Sequence, residues 1–305
     1  MTTSSLLSGN RKIRHKIRTD SLLADIIINT IMVILCIIFL YPFLNVIAVS
    51  LSSNRMISTG QVTFFPREIT TKGYELLFEA QNIWGAYLNT IIIALGATVV
   101  NLVLTSMLAY AMMLPEFCLR KFLTIFLLVT MFFSGGTVPT YLLIKNLHLY
   151  NTWWALILPN AVSAYNVFVY RAFYKGISPE IREAARIDGA SETKILCRIY
   201  VPLSKPLYAT FGLFSLVGVW NSYYDALLYL SDADKMPIQM ILRRIVFTSG
   251  VDTMADAVAM MRNGALNALN VQYACVVATI GPILLVYPFL QKYFAQGMQV
   301  GAVKG

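Results

Sequence analysis

The sequence predicts an all-α membrane protein with six transmembrane helices, and three observations carry that expectation. The chain is 57% hydrophobic and 13% charged over 305 residues, with a mean hydropathy of +0.65, too apolar for an ordinary water-soluble domain of this length. Its charged residues leave six long charge-free intervals. The polar stretch 171–205 between two of those intervals has the spacing of short amphipathic helices rather than of a further span.

A helix that crosses a bilayer needs roughly 20 apolar residues. The charge-free intervals are Ile26–Asn54, Ala80–Pro115, Phe122–Ile144, Asn146–Tyr170, Pro206–Tyr224 and Asn263–Gln291, and each has room for one span. The spans are placed at about 26–50, 84–113, 122–144, 150–170, 207–230 and 272–294, the fifth running past Asp225. Residues 1–25 form a basic N-terminal segment with Arg11, Lys12, Arg14, Lys16 and Arg18. The apolar stretch after it is too long for a signal peptide and lacks a small-residue cleavage pattern. Pro42 and Pro288 fall inside spans, where membranes tolerate a kink, and Gly135-Gly136 with Pro139 is expected to break the third. Segment 51–79 is too short to be a domain. Segment 231–262, of mixed charge, is expected to carry short helices on the outer surface.

Lysine and arginine set the orientation. Sixteen of the 24 lie in segments 1–25, 120–121, 171–205 and 292–304, against eight in the alternate segments. Cytosolic loops are enriched in these residues, so both termini, including the short tail 296–305, and segment 171–205 are placed in the cytosol. The net charge of +9 is thereby explained by the membrane flanks, and no nucleic-acid partner is called for.

Segment 178–206 reads as two short helices hinged at a glycine. Ser178 can cap the first, with Pro179 at its first position and Glu180 in the first turn, where an acid suits the positive helix end. Ile181, Ala184, Ala185 and Asp188 share one side at spacings of three and four. Gly189 lets the backbone leave the helix without a Cβ penalty. Ser191 and Glu192 start a second helix with Ile195, Leu196 and Ile199 on one face, and Pro202 and Pro206 interrupt it.

Chemistry-bearing motifs are scarce. Cys36, Cys118, Cys197 and Cys275 have no short pairing and read as packing residues, and His15 and His148 are far apart. Neither a metal site nor a catalytic triad follows from them. No phosphate-binding G-x-x-x-x-G-K-[ST] loop occurs, so the chain is not itself an ATPase. Trp220, Asn221, Tyr223, Tyr224 and Asp225 form the one polar and aromatic cluster in a span. Sugars stack on aromatic rings and hydrogen-bond amides and carboxylates, and an ionisable residue in a span is a functional candidate. The alternative is an interfacial aromatic belt.

Segment 183–206 resembles the "EAA" loop of ABC-importer permeases: Glu183, Ala184, Ala185, Gly189, Ile199 and Pro202 match its spacing, and Val201 replaces the usual leucine. Asp188-Gly189-Ala190 and Pro202–Pro206 resemble the carbohydrate, MalG-like branch. The stretches Ser134–Tyr141, Trp220–Ala226, Pro282–Phe294 and Gly301–Gly305 are similar to its LplC/YtcP-type subgroup. The resemblance implies a type I ABC importer permease fold with cytosolic coupling helices, in a bacterial cytoplasmic membrane and in contact with its lipids. It implies a second homologous permease, two ATPase subunits that carry ATP and Mg²⁺, and an extracellular sugar-binding lipoprotein, with no cofactor on this chain. The cargo it implies is a carbohydrate, taken as an oligosaccharide. Glu183, Ala184, Ala185, Asp188, Gly189, Ala190, Ile199 and Pro202 are then the ATPase-coupling residues, while Trp220, Asn221, Tyr223, Tyr224 and Asp225 are the candidate substrate-path residues on their own chemistry, with the aromatic belt as the alternative. An ion-coupled secondary transporter is the alternative, disfavoured by nearly charge-free spans. A membrane enzyme lacks paired carboxylates or a metalloprotease motif.

Overall fold

A computed structural model of the chain describes residues 19–80, 82–248 and 269–285. Among them every regular element is helical, which is how a chain in lipid satisfies its backbone polar groups without water. Helix α1 (Thr19–Ser50) runs unbroken through Pro42. Helices α2 (Asn54–Ser58) and α3 (Lys72–Ala80) lead into the long α4 (Ile83–Met113). Residues 1–18, 249–268 and 286–305 lie outside the described residues, and with them most of the basic segment, Pro288 and the tail.

Beyond α4 the helices come in pieces. Helices α5 (Arg120–Phe132) and α6 (Thr137–Asn146) are parted at the expected Gly135-Gly136. Gly136 has φ +87°, a left-handed conformation open to glycine. The fourth interval departs from expectation. In place of one helix over 150–170 there is a four-residue α7 (Trp154–Ile157), an irregular stretch 158–163, and α8 (Ala164–Lys175). Pro159 has no N–H to continue the ladder, and Asn160 and Ser163 favour turn backbone.

Helices α9 (Pro179–Ile187) and α10 (Glu192–Ile195) follow, and α10 continues into a π-helical turn, Leu196–Tyr200, and α11 (Val201–Leu203). The expected interruption at Pro202 is absent. The preceding π turn widens the helix, which makes room for a ring that has no N–H to give, and the break falls at Ser204 instead. Helices α12 (Lys205–Asn221) and α13 (Tyr224–Tyr229) are parted at Ser222–Tyr223, so the fifth interval is not one continuous helix either. A 3₁₀ turn (Ala233–Lys235), α14 (Ile238–Thr248) and α15 (Leu269–Leu285) complete the order. By length and apolar composition, two described helices can cross a membrane: Ala24–Ser50 within α1, and α4.

Helix α4 is the spine, packing against α12, α8, α14, α7, α5 and α3. Most of its buried side is small or polar, with Asn89, Thr90, Ala94, Ala97, Thr98, Asn101, Thr105, Ser106 and Ala109 beside the larger Ile83, Ile93, Tyr110 and Met112. Leu88, Leu95, Val99, Val103 and Met107 face outward. In lipid an apolar face has no reason to turn inward, and small residues let helix backbones approach.

The amides and hydroxyl of that side secure irregular backbone. Asn89 Nδ2 donates to the carbonyls of Asp234 (2.6 Å) and Met236 (3.1 Å). Thr90 Oγ1 accepts from the Ile238 amide at 2.8 Å, at the start of α14. Asn101 Nδ2 donates to the Ala161 carbonyl at 3.1 Å, holding the 158–163 stretch. Asn89→Leu keeps the branched shape but strands two carbonyls, and is expected to cost about 1–3 kcal/mol. Thermal unfolding of the detergent-solubilised protein checks this, with Leu95→Ala on the outward face expected to cost far less. Equal midpoints for Asn89→Leu and the parent would contradict the pinning role.

Candidate functional site

Helix α9 ends as its sequence predicts. The Gly189 amide donates to the Arg186 carbonyl (3.0 Å) and the Ala190 amide to the Ala185 carbonyl (2.9 Å), the paired bonds that close a helix on a left-handed residue. Gly189 has φ +76°, and a Cβ there would meet no atom within 4 Å. Conformation, not crowding, therefore requires glycine. The start differs from expectation: Ser178 is at the cap position with extended backbone but makes no side-chain cap. Ser191 does cap α10, its Oγ accepting from the Lys194 amide at 3.4 Å.

Of the four residues that share one side of α9 by spacing, only Ala185 turns inward. Ile181, Ala184 and Asp188 are exposed, and Ile187 is 87% exposed. Ala185 and Ala190 pack partly against the buried cluster that holds Tyr110, Tyr174, Ile195 and Tyr200. Glu183 points into solvent with Ala184, Ile199 is half-buried, and Pro202 is exposed. The helix is held by a residue that spacing does not single out. Arg182, its side chain 12% exposed, donates to both Glu192 oxygens at 2.7 and 3.2 Å and lies 3.5 Å from Glu116. Arg186 approaches Glu116 at 3.3 Å and Glu192 at 3.7 Å. Tyr110 of α4 donates to the second Glu192 oxygen at 2.5 Å.

Two arginines and two carboxylates from three segments thus fasten α9 to the top of the spine. The Arg182 hydrogen bonds hold the Glu192 carboxyl below its usual range, against the opposing effect of burial. Glu116 is lowered too, first by its own backbone amide and then by the arginines. Behind the clamp runs an aromatic column. Tyr110, Tyr174 and Tyr200 meet edge to face with centroids 5.0 to 6.4 Å apart, and Tyr170 continues the stack to Tyr208 and Phe211 of α12. Ser106 bridges the Tyr174 and Tyr208 hydroxyls. Such edge-to-face pairs add about 0.5–1.5 kcal/mol each beyond burial, and they make the loop and the helices one packed body.

The polar and aromatic cluster of the fifth interval scatters. Trp220 is 8% exposed, its indole N–H donating to the Thr279 carbonyl of α15 at 3.2 Å. Asn221 donates to the Val217 carbonyl one turn back and accepts from Gln239 at 3.4 Å. Tyr223 lies under the Arg243 guanidinium, 5.7 Å from its ring centre, and the Tyr224 hydroxyl is 3.5 Å from Thr137 Oγ1. Of the five, Asp225 alone borders a cavity of about 790 Å³, where it accepts a hydrogen bond from Asn160 Nδ2 at 3.0 Å. That cavity lies among α4, α8, α12 and α13, and Asn101, Tyr165, Asn166 and Ser215 also line it. These lining residues went unnoticed because they sit in separate apolar intervals, and only the break at 158–163 brings Asn160 to Asp225.

Removing the guanidinium in Arg182→Ala is expected to lower stability by about 1 kcal/mol, since the pair is partly solvated. The folded state holds Glu192 below its ordinary carboxylate value, so its contribution is full above that value and fades as pH falls through the lowered one. The difference in unfolding midpoint between parent and variant is therefore expected to be steady near neutrality and to shrink below about pH 4. A difference that widens on acidification would contradict the clamp.

The family model described as "Binding-protein-dependent transport system inner membrane component" matches residues 90–300, a range that holds both the α9 loop and the cavity. The chain is 39% identical over 268 residues to protein LplC of Bacillus subtilis (strain 168), covering 88% of this chain and 90% of that one. It is 35% identical over 283 residues to the polygalacturonan/rhamnogalacturonan transport system permease protein YtcP of the same organism, covering 93% and 99%. Its fold is similar to a chain in the crystal structure of a bacterial ABC transporter involved in the import of the acidic polysaccharide alginate, with TM-score 0.85, 28% identity and coverage of 91% and 98%. With its spine, clamped loop and polar-lined cavity, this chain belongs to the binding-protein-dependent transport system inner membrane components, the permeases of ABC transporters, which leave ATP hydrolysis to a separate subunit.

Proposed function

We propose that this chain is one of two permease subunits of an importer that moves a carbohydrate, in the form of an oligosaccharide, through the α4–α8–α12–α13 cavity. The names of YtcP and of the alginate transporter, both concerned with polysaccharides, support the cargo class. Six crossings follow if α5 with α6, α7 with α8, and α12 with α13 each act as one broken span beside α1, α4 and α15. Both termini then lie in the cytosol, as the lysine and arginine asymmetry favours. The partners are a homologous permease, two ATPase subunits that hold ATP and Mg²⁺, and an extracellular sugar-binding lipoprotein.

One observation carries the coupling role. Helix α9 is fastened by Arg182 on one side yet leaves Glu183, Ala184, Ile187 and Asp188 exposed on the other. Among the described residues nothing covers Ile187, which is 87% exposed. An ATPase groove that takes the helix end would cover it. Because α9 is clamped to α4, a rigid displacement of the groove when the ATPases close reaches the cavity-lining helices. Ala184 is small and exposed, which suits close approach by the partner.

Gly189→Pro removes the amide that donates to Arg186 and cannot adopt φ +76°. It is expected to abolish uptake, as is the bulky Glu183→Trp, while both variants reach the membrane at parental levels. Growth on the transported sugar equal to that of the parent, with either variant as the sole permease of its kind, would sink the coupling assignment.

A further inference from the structure

The cavity beside Asp225 is lined, among the described residues, almost wholly by neutral groups. Its polar side chains are amides and hydroxyls such as Asn101, Asn160, Asn166, Ser163 and Ser215, and no lysine, arginine or histidine is among them. Asp225 is the one carboxylate. Its partner is the Asn160 amide, which orients the group without neutralising it. Bases on nearby segments are engaged elsewhere: Lys235 pairs with Asp232 at 3.4 Å and donates to the Asn151 carbonyl, and Arg243 lies over Tyr223.

A carboxylate with no compensating charge among the described lining residues, on a low-dielectric wall, focuses a negative potential into the space it faces. A sugar hydroxyl donates to such a group in a charge-assisted bond, stronger than one to a neutral acceptor. A second carboxylate within a few ångströms is repelled, by roughly tenfold in occupancy in a partly solvated site. We propose that Asp225 makes this cavity select uncharged oligosaccharides and disfavour uronic-acid polymers, unlike the acidic cargo in the names of two relatives. The proposal rests on the cavity being the sugar path. Asp225 acts as a specificity determinant: it receives hydroxyl donors and excludes anions, and its fixed hydrogen bond to Asn160 keeps it aimed.

The test places a thiol in the cavity of the assembled importer, in nanodiscs without the binding protein. Ser222→Cys, with the exposed cysteines replaced by Cys36→Ser, Cys118→Ser and Cys197→Ser, is treated with an anionic and an uncharged methanethiosulfonate. The ratio of the two rates reads the local field and cancels the reactivity of the thiol. Adding Asp225→Asn is expected to raise the anionic-to-uncharged ratio about tenfold; an unchanged ratio overturns the proposal. Galactotetraose and tetragalacturonate then compete with the uncharged reagent. Protection by galactotetraose and not by tetragalacturonate supports the proposal, and equal or better protection by tetragalacturonate overturns it. If neither sugar protects while the ratio still responds to Asp225→Asn, the field is real but the sugar-path reading fails, and the substrate assignment with it.

Discussion

The Arg182 guanidinium, held between Glu192 and Glu116, is the constraint on which the arrangement of the loop depends. Helix α9 has no fully buried residue, and only Ala185 packs partly against the core, so hydrophobic burial does little to hold it in place. Charge does so instead, from a side chain that is 12% exposed and can therefore interact more strongly than an ordinary surface pair. Tyr110 passes the connection from Glu192 into α4, and the tyrosine column carries it along α8 to α12. A helix that was merely tethered would absorb a push at its exposed face. A clamped one transmits it.

The same economy of polar groups governs the membrane body. Helix α4 turns its amides and hydroxyls inward: Asn89 and Thr90 take up backbone of the connection 234–238, and Asn101 takes up backbone of the break at 158–163. The breaks at 158–163 and 222–223 are therefore not weak points. They are positions where irregular backbone is tolerated because a neighbouring helix satisfies it or because it borders a cavity. The break at 158–163 sets Asn160 against Asp225, which gives the cavity its one charged group among the described residues.

Much of this was legible in the residues, and the failures have physical causes. The glycine hinge was readable because left-handed backbone at 189 has a residue-type signature. The Gly135-Gly136 break was readable for the same reason. The fourth interval misled because apolar residues run on both sides of Pro159, Trp153–Leu158 before it and Val162, Val167, Phe168 and Val169 after it, and hydropathy carries no information about where the ladder stops. On α9 the spacing was readable as a shared side, of which Ile181 is left exposed among the described residues. Arg182 was invisible as a clamp because its partners lie at 116 and 192, outside any helical period. Trp220 stood out by type, yet its indole is spent on the Thr279 carbonyl.

The central claim is that the Arg182–Glu192 pair transmits force from α9 to the helices around the cavity. The direct measurement is the number of sugars imported per ATP hydrolysed by the reconstituted importer, for Arg182→Glu, Glu192→Arg and the two combined. Each single reversal places like charges together and is expected to lower the ratio severalfold while hydrolysis continues. The combination restores opposite charges and is expected to recover much of the ratio, a coupling that separate structural defects would not show. A double variant as uncoupled as the worse single one would contradict the account.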